Sequence, residues 1–456
     1  MEVLQLLGTI VKMGAVLAVI LGLLWVLGRK QLWQKIVGVA VAFGVVQLAI
    51  SLQFGEFQLL TDFDQGLLFL SITMAMVALG LNLIYGFNGQ FSLAQWGFYG
   101  IGAYCAADIT YRWVNGDARG LLVVGIGTIL AGLALIGVNR LLKLKRGIPV
   151  LSAFAMYLIA AVAAAAVAVL LGGVLQPLLA PALGTLAKPG PLNAAGVQAV
   201  IFALSVIFAG IFAAEVSFLF GLPVLTLGSD YFGIATLGFA IVVKTLMVNT
   251  DTILPFPEMK GGRGMIGIPK YTTWAWAFAF LLAVIILMRN LIRSSTGRSI
   301  VAVREDETAA KAMGIDVAGS KLLSFVVGSF FAGVGGAVYA HYIGFLSPQT
   351  FDFIAGFNPL IIVVFGGLGS MTGTIAASFA WIFFLEGFLR TLLGQISTEA
   401  PTWRFVLYPI TLLLLMLLRP QGLMGNIEIG FMKAKEFVRR VAGKPSGQAG
   451  PTGKGA

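Results

Sequence analysis

Cysteine and histidine each occur once in the 456 residues, as Cys105 and His341. A lone cysteine excludes an internal disulfide and a lone histidine leaves no cluster for a metal site, so each reads as a packed residue. Charge is scarce too. Asp, Glu, Lys and Arg make up 11% of the chain, against roughly 25% in soluble domains. No Walker A string and no complete GxGxxG following a strand occurs, and the GPTGKGA at 450–456 lacks a flanking apolar element, so nucleotide binding is not expected. No His/Glu zinc pair and no Ser-Lys or Asp-Asp pair stands in helical register, which leaves an intramembrane enzyme without a chemistry. No catalytic residue, cofactor or metal ligand is assigned.

What is abundant is apolar: 59% of residues are hydrophobic and 58 are Gly. The expected fold class is an all-α, polytopic transmembrane helical bundle with about 10 to 13 apolar segments, some of them half-helices. The net charge of +11 resides in clusters between apolar runs, at 29–35, 140–146, 289–321 and 433–444. The positive-inside rule places these on the cytoplasmic side and explains them without a nucleic-acid partner. The N-terminus then lies outside and the C-terminus inside. The Pro-containing stretch with Pro177, Pro181, Pro189 and Pro191 reads as an outer loop after a span at 149–175.

The longest charge-dense stretch between apolar segments is 296–325, TGRSIVAVREDETAAKAMGIDVAGSKLLSF. Within it, Asp306 to Gly314 has the form of a two-turn helix with an Asp N-cap and a Gly just past its end. Glu307 and Lys311 stand at i,i+4 and are expected to pair, while Ala309, Ala310 and Met313 form the other face. Seven residues fall short of the roughly 12 to 15 an isolated helix needs, so packing must hold it, either in a partner or against its own bundle and the headgroups.

A second informative stretch is 78–104, ALGLNLIYGFNGQFSLAQWGFYGIGAY. Gly80, Gly86, Gly89, Gly97, Gly100 and Gly102 with Asn82, Asn88, Gln90, Ser92 and Gln95 are too polar for a lipid-facing helix. They predict a broken helix buried in protein, whose amides either line a substrate path or hold helices together. Ser329-x-x-x-Gly333 and Ala332-x-x-x-Gly336 have the small-xxx-small spacing of close helix contact. FGGLGSMTGT, 365–374, is a Gly-rich turn between two apolar segments without the Lys of a phosphate loop.

Glu307-x-Ala309-Ala310-x-x-x-Gly314 resembles the cytoplasmic loop of bacterial ABC importer membrane subunits, one residue longer than the commonest spacing. The fuller string of Gly297-Arg298, Arg304-Glu305-Asp306-Glu307, the Ala pair and Met313-Gly314-Ile315 is similar to the LivM branch, the branched-chain amino acid permeases. So is NLxYGxxGQxSLxxxxFxGIGAY, which also resembles the sister subunit LivH. YFGIATLGFA (231–240) and GGRGMIGIP (261–269) match less fully: after Gly-Phe the family has a small residue and a Glu, whereas Phe239-Ala240 runs into Ile241, and Lys260 stands where it has Thr. The resemblance covers about 65–425. It implies an ABC importer permease fold, with residues 1–64 as an N-terminal transmembrane extension, 65–425 as the permease core, 426–456 as a basic cytoplasmic tail, partly disordered, and 140–195 as a further extension.

By the same resemblance, Arg304, Glu305, Asp306, Glu307, Ala309, Ala310, Met313 and Gly314 form the ATPase-docking loop. Asn82, Asn88, Gln90, Ser92 and Gln95 are candidates for the translocation pathway. The implied partners are a second, LivH-like permease, two ATP-binding subunits and a periplasmic binding protein, in the bacterial inner membrane. The implied cargo is branched-chain amino acids, with other amino acids or urea-like amides as neighbours. The alternative is an ion-coupled carrier of a small polar solute, which needs buried ionisable groups. Those available are Glu386, with Arg390 at i+4, and Glu215 and Lys244, which either pair or snorkel.

Overall fold

The computed structural model describes residues 2–27, 32–54, 57–144, 150–187, 194–225, 229–252 and 259–389, with isolated positions from 392 to 424. The C-terminal tail, the lysines and arginines at 29–30, and Arg390 lie outside the described residues. A lipid-embedded backbone must satisfy its hydrogen bonds internally, so the long apolar runs become helices. These are α1 (Glu2–Leu27), α2 (Leu32–Ser51), α3 (Asp62–Leu81), α4 (Gln95–Val114), α5 (Arg119–Leu144), α6 (Val150–Ala187), α7 (Ala194–Val224) and α8 (Ser229–Val248). They continue with α9 (Trp274–Arg293), α10 (Ser295–Glu305), α11 (Glu307–Ala312), α12 (Val317–Ile343), α13 (Phe357–Gly366) and α14 (Met371–Ile382). Among the described residues, eight helical stretches are long and apolar enough to cross a membrane, and three shorter apolar helices accompany them. The polytopic helical bundle expected from the sequence is the fold observed.

The outer loop expected at Pro177 and Pro181 does not form there, and Pro189 and Pro191 lie outside the described residues. Helix α6 runs through Pro177 and Pro181, and α7 through Pro223. A proline forfeits one intrahelical bond, but in apolar surroundings the turns on either side, rich in Ala, Leu and Val, keep theirs only by staying helical.

Helix α12 is the axis of the bundle, packing against α3, α4 and α7. Its small residues permit that. A Cβ on Gly336 would lie 1.9 Å from the Tyr99 carbonyl oxygen, and one on Gly333 would lie 2.7 Å from Ala213 Cβ. A Cβ on Gly80 would approach the Gly328 carbonyl oxygen to 2.3 Å. Backbones this close gain dispersion and shed lipid, which is the main source of helix association without a hydrophobic drive. His341 near the end of α12 is fully buried. Its Nδ1 donates to the Ala337 carbonyl (2.7 Å) and Nε2 accepts from Thr110 Oγ1 (2.8 Å), which leaves it a satisfied packing residue. Cys105 is buried and free.

Two small antiparallel pairings escape periodicity. Strand β1 (Gln53–Phe54) pairs with β2 (Phe57–Gln58), and β3 (Met265–Ile266) with β4 (Phe345–Leu346). The second joins the Gly-rich loop before α9 to the segment after α12, so the start of α9 and the end of α12 share one end of the bundle. Helices α10 and α11 lie at the other. Lys260 precedes this loop in left-handed backbone (φ 53°), and Gly261 (φ 51°) is pressed against the Asp251 carboxylate.

Candidate functional site

The polar stretch after α3 interrupts the helix as its composition predicts. Helix α3 widens into a π-helical turn over Asn82–Phe87, the chain leaves helical geometry at 88–94, and α4 resumes at Gln95. Residues 62–87 together make a complete span. The break therefore sits at the α10 end of the bundle, where the chain reverses, rather than at mid-depth. Gly89 takes φ +78° in the reversal, a conformation open to glycine.

A second break meets the first. Helix α13 ends at Gly366 after 10 residues, and α14 starts at Met371 beyond the turn at 367–370 and continues through a π-helical stretch to Leu389. Asn82 staples the two breaks. Its Nδ2 donates to the Ser370 carbonyl (2.9 Å) and to Thr374 Oγ1 (2.8 Å), while its Oδ1 accepts from the Gly369 amide (2.9 Å). A Cβ on Gly86 would fall 2.5 Å from the Gly369 amide nitrogen, so the close approach requires glycine there.

The five candidate pathway residues are all buried but differ in employment. Asn82 is spent on the staple. Asn88 Nδ2 donates to Gln90 Oε1 (2.9 Å) and to Ser324 Oγ of α12 (2.7 Å). Ser92 Oγ accepts from the Ala94 amide (3.3 Å), a local turn contact. Asn88 Oδ1 has no hydrogen-bond partner among the described residues, and Gln95, 2% exposed, has none on either Nε2 or Oε1. A buried amide left open in this way is costly unless water or a solute meets it.

Beneath the breaks lies the charged loop. Helix α11 forms as expected: Asp306 Oδ1 accepts from the Thr308 (2.8 Å) and Ala309 (3.0 Å) amides, and Gly314 follows at φ +81°. The expected Glu307–Lys311 pair is replaced by one between Glu307 and Lys321, because the turn at 313–316 folds the start of α12 back beside α11. Ala310 is 5% exposed and turned into the chain, whereas Ala309 and Met313 (83%) are open, so the three do not share one free face.

Helix α10 was not anticipated. Ser294 caps it by accepting from the Gly297 amide (3.1 Å), and Ile300 and Val303 are its buried face. The signals were a Ser before Ser-Thr-Gly and apolar residues three apart, in a stretch read for charge. Arg304 ends it. Its Nη1 donates to the Gly86 carbonyl (2.6 Å), its stem lies along Gly89, and a Cβ on Gly369 would meet the same nitrogen at 2.8 Å. Within this chain, Arg304 touches both breaks at once.

The ionisable groups in the spans also find partners other than those expected. Lys244 of α8 pairs with Asp352 at 2.9 Å, not with Glu215, which approaches Gly132 of α5. Lys12 of α1 lies 3.7 Å from Asp64 of α3, and Arg112 donates through Nε to both oxygens of Asp108. Among the described residues, no group of three or more His, Cys, Asp or Glu is placed to hold a metal.

The family model described as branched-chain amino acid transport system / permease component matches residues 142–417. That range takes in all but the first two residues of 140–195 and leaves out the 78–104 block. The high-affinity branched-chain amino acid transport system permease protein LivM of Escherichia coli (strain K12) is 31% identical over 250 residues, 47% of this chain and 56% of that protein. The probable LivM permease of Methanocaldococcus jannaschii is 25% identical over 261 residues, 54% of this chain and 74% of that one. LivH of Escherichia coli (strain K12) is 26% identical over 209 residues, 43% and 64% respectively. The match thus spans little more than half the length of the Escherichia coli LivM protein. No solved structure matches.

Proposed function

This chain belongs to the family of branched-chain amino acid transport system permease components, and from that premise we propose that it is the membrane-spanning subunit of an ATP-driven importer. Its cargo is branched-chain amino acids and its site of action the bacterial inner membrane. It hydrolyses no ATP itself, works beside a second, LivH-like permease, receives cargo from a periplasmic binding protein and is driven by two ATP-binding subunits. Residues 65–425 act as the permease core, 1–64 as an added transmembrane element and 426–456 as a basic cytoplasmic tail.

The observation that carries this reading is Arg304. Helix α11 leaves Ala309 and Met313 open, while Arg304, at its junction with α10, holds the Gly86 carbonyl. A partner that grips α11 therefore moves a group bonded to the backbone of one helix break and packed on the other. Coupling needs such an element with a differential contact in two states. In this reading Arg304 is the lever, Asp306 and Gly314 shape the docking helix, and Glu305, Glu307, Ala309 and Met313 offer the surface. Ala310 seats the helix. Gln95, with its open amide, is the pathway residue best suited to meet a polar solute, and Asn82 and Asn88 keep the path's walls together.

The test is a cross-link. Met313→Cys, in a Cys105→Ser background, should cross-link to a co-expressed ATP-binding subunit in membranes and should change yield when ATP is trapped. A cysteine at Ile266, at the β3–β4 end, should not react with that subunit. Equal cross-linking from both positions would defeat the docking assignment.

A further inference from the structure

The segment 344–356, between α12 and α13, is irregular: a two-residue strand, a short 3₁₀ turn at Pro348–Phe351 and a bend. Beyond β4, which stands at the end of the bundle, its part around Thr350 and Phe351 nevertheless packs into the bundle. The Thr350 carbonyl accepts from Trp96 Nε1 at 3.1 Å, and the Phe351 ring stands 6.0 Å from Tyr99 and 5.8 Å from Tyr104, all in the first half of α4. Backbone of this kind survives at membrane depth only where protein covers it or where it lines water.

One side of it is open. Phe353 and Ile354 are 38% and 54% exposed, and so are Ile241 (43%) and Leu246 (41%) on α8 beside it. On this open side Lys244 Nζ meets Asp352 Oδ1 at 2.9 Å, with the side chains 30% and 32% exposed. The same Oδ1 accepts from the Phe353 amide at 2.8 Å, which fixes the carboxylate. Two opposite charges are thus held side by side, Lys244 within the span 231–248 and Asp352 on the irregular segment, and neither is sealed in the core. A charge inside a span is retained for a purpose.

We propose that Lys244 and Asp352 form a head-group site for a zwitterionic α-amino acid. The pair opens on binding: Lys244 receives the substrate carboxylate, Asp352 receives the ammonium, and the aliphatic side chain lies on Phe353 and Ile354. An α-amino acid carries both charged groups on one carbon, so it replaces each partner with one of the same sign, and no net charge is stranded. The exchange is near balance, which suits a site that must release what it binds. This inference deepens the transporter reading and rests on it.

The test uses the complete complex reconstituted with its ATP-binding subunits, partner permease and binding protein, with radiolabelled leucine as the probe. The double variant Lys244→Met/Asp352→Leu replaces the pair with apolar groups of similar size, a change that a purely structural ion pair tolerates. Leucine uptake is expected to fall at least about tenfold, the loss typical of deleting charge-assisted contacts, while assembly and ATPase stimulation by loaded binding protein persist. The conservative Lys244→Arg/Asp352→Glu pair should retain part of the uptake. Uptake within about twofold of the parent, or failure to assemble in the double variant with full uptake in the conservative one, assigns the pair to structure and overturns the proposal. Absence of ATP-dependent uptake in the parent complex would instead strike the transporter reading itself.

Discussion

Replacing Arg304 with Met keeps most of the stem that packs along Gly89 and removes the guanidinium bonded to the Gly86 carbonyl. A hydrogen bond to a charged donor contributes about 1.5–3 kcal/mol, and solvent at a side chain 32% exposed brings this to the lower end, near 1.5 kcal/mol. That is roughly tenfold in the ratio of seated to unseated α10. Ile300 and Val303 still hold the helix, so it is loosened and not lost. Hydrogen exchange on the purified complex reads this directly: amides at 86–94 and 367–370 should exchange about tenfold faster, with α4 and the core of α12 unchanged. ATP hydrolysed per leucine moved should rise in parallel. Arg304→Lys, which keeps a charge without the planar fork, should fall between. If Arg304→Met leaves exchange at both breaks and the ATP ratio unaltered, the arginine is a surface residue and the lever does not exist.

Glycine spacing offers a matched set: Gly336→Ala drives a methyl onto the Tyr99 carbonyl and should destabilise by about 3 kcal/mol or abolish assembly, whereas Gly238→Ala, with nothing within 4 Å, should be silent in the same thermal melt. Asn82→Leu strands the Gly369 amide and should lower stability by about 1–3 kcal/mol, while Gln95→Met should leave stability unchanged or improved and reduce uptake. Lys260→Gly relieves a left-handed backbone and should raise stability by about 1 kcal/mol in the same melt. In a Cys105→Ser background, cysteines at Ile266 and Met313, 57% and 83% exposed, should label from opposite faces of the membrane, Met313 from the cytoplasm.

Helix α11 was legible because its determinants are local: an Asp cap, two turns and a Gly at φ +81°. The interruption at 88–94 was legible because glycines and amides crowd a stretch that lipid would reject. Its depth was not, since that depends on where Arg304 and Ser324 stand, more than 200 residues away. Asn82 shows the same limit. Its composition allowed path or staple, and only the approach of Gly369, Ser370 and Thr374 decides that its amide is fully used. Lys244 finds Asp352 instead of Glu215 because an irregular segment carries the carboxylate into the bundle, a placement that no hydrophobic period encodes. The prolines of α6 misread because the turn signal of proline is calibrated on water-exposed chain.

The central claim is that transport through this chain is driven by ATP hydrolysed in partner subunits and not by an ion gradient. Leucine uptake into proteoliposomes holding this subunit, its partner permease, the ATP-binding subunits and the binding protein measures it most directly. With ATP supplied to the side of α11 and ionophores collapsing every gradient, uptake should proceed at its full rate, and it should stop when ATP is replaced by a non-hydrolysable analogue. Uptake that survives the analogue and disappears with the ionophores would contradict the account.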